Sequence, residues 1–144
     1  MSERGGLVVS CAGGSLFVSA SVASQVAELG RVTPVAGLPP PALGVALAEG
    51  RVVLVISLGV DAGRRPGPAI VCDMDGDVVA FLGGEVLAVG AFPAEAGGVR
   101  HDGAFVPELD ARGLYAELEG TLWAARAVEL ARRRAGKERP RDEA

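Results

Sequence analysis

Short apolar runs separated by glycine and proline make up most of the first two-thirds of the chain. The runs at residues 7–12 and 15–20 flank Gly13-Gly14, a dipeptide that favours a hairpin because both glycines adopt positive φ without steric cost. The runs at residues 44–48 and 51–58 flank Glu49-Gly50 in the same way. The pattern predicts two hairpins, and the second run of the later one is apolar on both faces, as in a strand buried on both sides.

The second half continues in the same style. We predict strands at 69–74, 78–82 and 85–90, with a tight turn at Asp75-Gly76-Asp77, a loop at 91–103 and a last strand at 104–109. Residues 21–29 carry Val22, Val26 and Leu29 at helical spacing, which predicts a short helix or tight turn. Residues 31–35 are expected to be extended, the prolines at 39–41 to form a corner, and residues 59–68 to form a linker.

The C-terminal part has a different periodicity. Asp110 is placed to cap a helix over residues 111–135, followed by a flexible charged tail at 137–144. Leu114, Leu118 and Leu122 form one stripe that should pack on the strands. Trp123 and Leu130 lie on a neighbouring face, which either covers the strands as well or binds a partner.

Composition narrows the functional classes. A chain of 144 residues is the size of one domain, predicted over residues 1–136, and its core is aliphatic because only 4% of residues are aromatic. No apolar run reaches the roughly 18 residues of a membrane span, and the first residues lack a signal-peptide pattern. We therefore expect a cytoplasmic protein without membrane insertion.

Candidate catalytic groups are sparse. The single histidine, His101, lies in a glycine-rich loop, and no nucleophile elbow is present. The spacing Asp73, Asp75, Asp77 fits a hairpin turn better than a calcium loop, because the glycine stands in the wrong place. Cys11 and Cys72 fit small buried hydrophobes. The sequence thus predicts a non-enzymatic binding module with no cofactor and no metal.

The net charge of −4 argues against nucleic acid as a partner. The last dozen residues are nevertheless rich in arginine, which leaves a nucleic-acid-binding β module as the alternative of another class. An enzyme built around His101 is a further alternative, which a fully functional His101→Ala variant would remove.

The order of these pieces resembles a CheW-like domain, the adaptor module of bacterial chemosensory arrays. The resemblance rests on VAEL at 26–29, VTPVAGLPPPALGVA at 32–46, ALAEGRVVLVISL at 46–58, IVCDMDGDVVAFLGGEVLAV at 70–89 and FVPELDARGL at 105–114. It implies a mainly β fold of two linked small SH3-like β-barrels with a C-terminal α-helix. The sub-barrels would cover about 7–58 and 69–110.

The resemblance also implies a function. Such adaptors dock on the cytoplasmic tip of a methyl-accepting receptor and link it to a CheA-type histidine kinase or to another CheW-like protein. Carried over by position, the partner-binding residues would be Val26, Glu28, Leu29, Glu49, Gly50 and Val86.

Departures from the family pattern indicate a divergent member. Glu49 stands where the family has arginine, Leu54 and Ser57 replace its proline and aspartate, and Gly84 replaces a second aspartate. Residues 90–104 are too short for a usual extra strand, so we expect the second barrel to be incomplete. An adaptor that binds receptor but has lost the kinase is therefore a second hypothesis.

Overall fold

The computed structural model of the chain describes residues 2–11, 13–38, 40–48, 50–58 and 67–138, without the side chains at 122–129, 137 and 138. Within these residues, ten strands precede one long helix. The strands are β1 (Glu3–Cys11), β2 (Gly14–Ser19), β3 (Ala23–Leu29), β4 (Ala42–Ala48), β5 (Arg51–Ser57), β6 (Gly67–Met74), β7 (Asp77–Leu82), β8 (Glu85–Glu95), β9 (Gly98–His101) and β10 (Ala104–Pro107), and the helix is α1 (Ala111–Glu138). The predicted fold class, mainly β with a C-terminal helix, is confirmed.

The first sheet has the order β10-β9-β8-β1-β2. A bridge between Phe17 of β2 and Glu108, just after β10, brings its two edges together, so that the sheet curls into a nearly closed barrel. Its interior holds Phe17 and Phe92, whose rings meet edge to face at a centroid distance of 6.1 Å. Aromatic pairs favour this geometry because the positive edge of one ring faces the negative face of the other.

The second sheet has the order β3-β6-β7-β5-β4, with β5 and β7 parallel. Its own core is aliphatic and includes Leu29, Val53 and Val55. A bridge between Thr33 and Val45 ties the segment after β3 to β4, the opposite edge strand. Gly44 permits this approach, because a Cβ atom there would collide with the carbonyl oxygen of Thr33.

A third core joins the two sheets. Alternation along β1 turns Val8 into the first barrel and Leu7 and Val9 towards the second sheet. Along β5, Val55 faces the core of the second sheet, whereas Ile56 faces the core between the sheets. The prediction that this strand is buried on both faces is confirmed.

Turn chemistry identified three hairpins correctly. β1 and β2 pair through the Gly13-Gly14 turn, and β6 and β7 through Asp75 and Gly76, both of which have positive φ. β4 and β5 pair as predicted, although Glu49 in their turn lies outside the described residues. Of the proposed linker, residues 59–66 also lie outside them, and residues 67–68 belong to β6.

Two local predictions are wrong. Residues 23–29 form strand β3 instead of a helix, because the segment pairs with β6 and its side chains alternate in exposure. Residues 91–103 are not a loop, since β8 continues to Glu95 along β1 and turns into β9. The stretch expected to lack a strand therefore supplies one, and each sheet has five strands among the described residues.

The sheets also divide the chain differently from the predicted sub-barrels 7–58 and 69–110. β1 lies between β2 and β8, so the two ends of the strand region share the first sheet. β3 to β7 form the second sheet. The division is wrong because strand pairing between distant segments, and not chain order, builds each sheet.

Helix α1 begins as predicted. The Oδ1 of Asp110 accepts a hydrogen bond from the backbone N–H of Gly113 at 2.9 Å. Leu118 is buried between the sheets and Leu114 packs beside it, which confirms that part of the predicted stripe. The side chain of Leu122 lies outside the described residues, and Leu130 is 45% exposed.

The helix ends at Glu138, beyond the predicted 135, and its 28 residues span about 42 Å. Within the described part of the chain, no helix is both long and apolar enough to cross a membrane.

Candidate functional site

An open apolar groove of about 500 Å³ lies between the first sheet and strand β3. β1 and β8 of the first sheet form one wall, and the start of β3 in the second sheet forms the other. The described residues that line it are all uncharged: Gly5, Gly6, Leu7, Ala20, Ala23, Ser24, Gln25, Val26, Val89 and Gly90.

Exposed valines give the groove its hydrophobic character. Val26 on β3 is 46% exposed and Val89 on β8 is 72% exposed, although both are apolar. Leu7 lies directly opposite Val89 in the β1–β8 pair and is almost fully buried. Clustered exposed apolar side chains mark interaction sites more often than isolated ones do.

The segment from β2 into β3 is held rigidly. The N–H of Ala20 donates to the carbonyl of Gly5 at 2.9 Å, and the N–H of Val22 donates to the carbonyl of Ser19 at 3.0 Å. The hydroxyl of Ser24, at a bulge in β3, donates to the carbonyl of Val71 at 3.0 Å. The groove is thus preformed, which lowers the entropy cost of binding.

The predicted partner-binding residues do not all lie together. Val26 lines the groove, and Glu28 follows on the same outward face of β3. Leu29 is only 2% exposed and belongs to the core of the second sheet, so its placement on a partner-facing surface is wrong. Alternation along β3 explains this, because neighbouring residues point to opposite faces.

The other three predicted residues lie away from Val26 or outside the description. Val86 is half-buried against the core between the sheets. Gly50 is exposed in the β4–β5 turn with φ of 75°, and Glu49 lies outside the described residues. Gly5 and Val89 also line the groove but were not predicted. Two features of the sequence point to them: the glycine pair Gly5-Gly6 in β1, and the apolar residues of β8, of which Val89 is not needed in the core.

His101 lies on another surface, a depression of about 660 Å³ that also contains Ser15, Leu87 and Phe105. Its Nε2 is 3.4 Å from the Oδ2 of Asp102, and its ring meets the edge of Phe92. A catalytic triad requires a hydrogen bond between the nucleophile and the histidine. No such bond joins Ser15 to His101 among the described side chains.

Metal and thiol chemistry also lack a site in this part of the chain. No group of three or more histidine, cysteine, aspartate or glutamate side chains is arranged to hold a metal ion among the residues described above. Cys11 and Cys72 are both free thiols, and burial raises the pKa of Cys72 to about 12.

A bidentate ion pair anchors the N-terminal strand to the end of the first sheet. Arg4 on β1 donates from its two terminal nitrogens to the two carboxylate oxygens of Glu108, at 2.6 and 2.8 Å. The guanidinium also lies 5.1 Å from the ring centre of Phe17. Hydrogen bonding to Arg4 lowers the pKa of Glu108. The pair is structural and lies apart from the groove.

Comparison with known proteins identifies the fold. The sequence matches no protein-family model and no curated protein. The structure is similar to the crystal structure of the scaffolding protein TtCheW from Thermoanaerobacter tengcongensis, with a TM-score of 0.58. The match covers 77% of this chain and 86% of that chain at 14% sequence identity. The chain therefore has a CheW-like fold in a divergent sequence.

Proposed function

We propose that this chain is a non-catalytic adaptor of a bacterial chemosensory system, and that the groove binds the helical cytoplasmic tip of a methyl-accepting receptor. The observation that carries the proposal is an uncharged, partly exposed groove between the two sheets of a CheW-like fold. An amphipathic helix docks in such a groove by burying its apolar face against apolar walls.

The chemistry of the groove fits a helix better than an extended strand. Its lining offers valine, alanine and glycine surface, and the hydroxyl of Ser24 is already engaged with Val71. Specificity then comes from shape and from charges at the rim, where Glu28 follows Val26 along β3. The expected affinity is micromolar, or about −8 kcal/mol, as for a transient signalling contact.

A matched pair of valine variants tests this site. Val26 is 46% exposed in the groove, whereas Val35 is 45% exposed in the segment between β3 and β4. Val26→Lys should weaken binding of a purified receptor tip at least about tenfold, because it places a charge against apolar groups. Val35→Lys should leave binding unchanged. The groove assignment would be wrong if both variants bound the tip like the wild-type chain.

The charge at the β4–β5 turn is a second element of the proposal. Gly50 is exposed there, and position 49 precedes it in the sequence. Glu49→Arg restores the charge that the family resemblance implies and should change which receptor tips bind. If affinities for a panel of tips are unchanged by this swap, the turn has no part in recognition.

Whether the chain also binds a kinase is open to a direct test. The stretch expected to be too short for an extra strand contains β9. The remaining reason for a receptor-only adaptor is therefore local, because Leu54 and Ser57 in β5 differ from the family pattern. We propose that the chain links receptor to a CheA-type kinase or to another CheW-like protein in the cytoplasm. A kinase regulatory domain that fails to co-elute with the chain at micromolar concentration would favour the receptor-only adaptor.

A further inference from the structure

We propose that the groove also takes the distal part of helix α1 from a second copy of the chain, in a head-to-tail contact that competes with the partner helix. The inference rests on the groove described above but requires no chemosensory partner. Three observations carry it: the exposure of Leu130 and of the described side chains after it in α1, the charge of the groove rim and the uneven charge along the chain.

The described side chains in the distal part of α1 are exposed. Leu118 is the last buried side chain described in the helix, and twenty residues remain, about 30 Å of helix. Leu130 is 45% exposed, and the described side chains after it are exposed as well. In proteins, most of the stability of a helix comes from tertiary packing of its apolar face.

The distal helix combines an exposed leucine with basic neighbours. Arg134 lies one turn after Leu130 on the same helix face, and Arg132 lies close by in sequence. Both arginines are exposed. An exposed leucine with arginines beside it fits an apolar site that has acidic side chains at its rim.

The groove has such a rim. Glu3 precedes Gly5 by two residues on β1, and Glu28 follows Val26 by two residues on β3, so each lies on the face that lines the groove. Both glutamates are exposed, and neither has an ion-pair partner among the described side chains. The carboxylates are thus available to the arginines of an incoming helix.

Charge along the whole chain is distributed in the same way, with an acidic body and a basic C-terminal end. Residues 1–120 carry 14 acidic and 7 basic side chains, whereas residues 121–144 carry 4 acidic and 7 basic ones. The body of one copy therefore attracts the helix end of another, and complementary charge favours encounter most at low ionic strength. Leu130 is exposed and is not among the described residues that line the groove, so it does not occupy the groove of its own chain.

A contact between two different surfaces is heterologous. Each copy then offers one helix and one groove, so association does not stop at a symmetric dimer unless a ring closes. The contact is small, and we expect a dissociation constant of about 100 µM. Sedimentation velocity on the full chain should show a mean mass that rises with concentration and falls with added salt.

Two single variants separate the surfaces. Val26→Lys damages the groove and leaves the helix intact. Leu130→Gln removes the apolar side chain that enters the groove but preserves the helix, because glutamine forms helices well. Each variant alone should associate at least about tenfold more weakly than the wild-type chain. An equimolar mixture of the two should form a one-to-one complex and nothing larger, because only one intact groove and one intact helix end meet.

Val35→Lys is the matched control for Val26→Lys and should associate like the wild-type chain. A wild-type chain that stays monomeric up to about 1 mM at low salt, at which even contacts worth only −4 kcal/mol are populated, would overturn the proposal. So would a monomeric mixture of the two variants, or a Leu130→Gln defect without a Val26→Lys defect, which would indicate helix–helix pairing. Salt-sensitive DNA binding by a monomeric wild-type chain would assign the basic helix end to nucleic acid instead.

Failure of this proposal and failure of the adaptor function are distinguishable. Leu130→Gln leaves the groove untouched, so it should bind a receptor tip at least as tightly as the wild-type chain does. A chain that self-associates as described but binds no helical tip would retain this inference and refute the adaptor function.

Discussion

Removing the side chain of Leu118 tests whether helix α1 belongs to the folded core. Leu118 is 4% exposed and lies in the core between the sheets, near Ile56 and Phe81. The lost transfer free energy of a buried leucine is about 2–3 kcal/mol, and the residual cavity adds about 24 cal/mol per Å³. The higher helix propensity of alanine returns only a few tenths. We expect Leu118→Ala to lower the free energy of unfolding by about 3 kcal/mol.

Urea unfolding followed by circular dichroism measures this change as a shift in midpoint at constant slope. Leu47→Ala is the matched control, because it deletes the same atoms from a side chain that is 63% exposed on β4. That variant should cost less than about 1 kcal/mol, mostly through strand propensity. Equal, small effects of the two substitutions would refute the reasoning and show that α1 is not part of the cooperative unit.

Three further predictions concern the strands and the thiols. Gly6→Ala should cost about 1–3 kcal/mol, because a Cβ atom there meets the carbonyl oxygen of Val18 and the ring of Phe17, whereas Gly5→Ala, whose nearest neighbours are 3.9 Å away, should be tolerated in thermal melts. Arg4 lowers the pKa of Glu108, so their pair stabilises the fold above the ordinary carboxyl pKa and loses this contribution as the pH falls through the lowered pKa. Glu108→Gln should remove this pH dependence of stability, which is worth at most about 1 kcal/mol because both side chains are about one-third exposed. Cys72, with its pKa raised to about 12, should react with a thiol reagent only on unfolding, while Cys11 reacts in the folded chain; equal rates would contradict the described burial.

Local turn chemistry explains why the hairpins were predictable. The turn at Asp75 and Gly76 requires positive φ at both positions, which few residue pairs adopt easily. Residue pairs of this kind therefore indicate in the sequence where the chain makes a hairpin turn. Pairing between distant segments leaves no comparable local mark, which is why the membership of β1 and β8 in one sheet was not predicted.

The sequence of strand β3 resembles a helix because Val22, Val26 and Leu29 stand four and three residues apart, which is also the spacing of one helix face. In the structure Val22 and Leu29 are buried while Val26 is exposed, so the three do not form one apolar stripe. Alternation along β3 places Val26 on the exposed face that lines the groove.

The sequence of residues 91–103 resembles a loop because Gly90 and Pro93 interrupt the apolar pattern of β8. Pro93 is tolerated there opposite Glu3, near the end of the β1–β8 ladder. Phe92 and Val99 are buried in the first barrel, which is the tertiary reason the segment is extended. Contacts made across the whole chain outweigh local propensity at these positions.

The proposed docking of a helix would explain why the groove is lined by small side chains. Two packed helices lie about 8–10 Å apart, and less where glycine or alanine lines the contact. Gly5, Ala20 and Gly90 line this groove, and a Cβ atom at Gly5 or Gly90 would meet no atom closer than 3.9 Å. The space beside them is therefore open to a partner's backbone. Gly6 differs, because the ring of Phe17 in the barrel leaves no room for a side chain there. If a helix docks in the groove as proposed, Gly5 leaves room for it, whereas Gly6 is needed for folding. Ala20→Leu should then block the docked helix without disturbing the core.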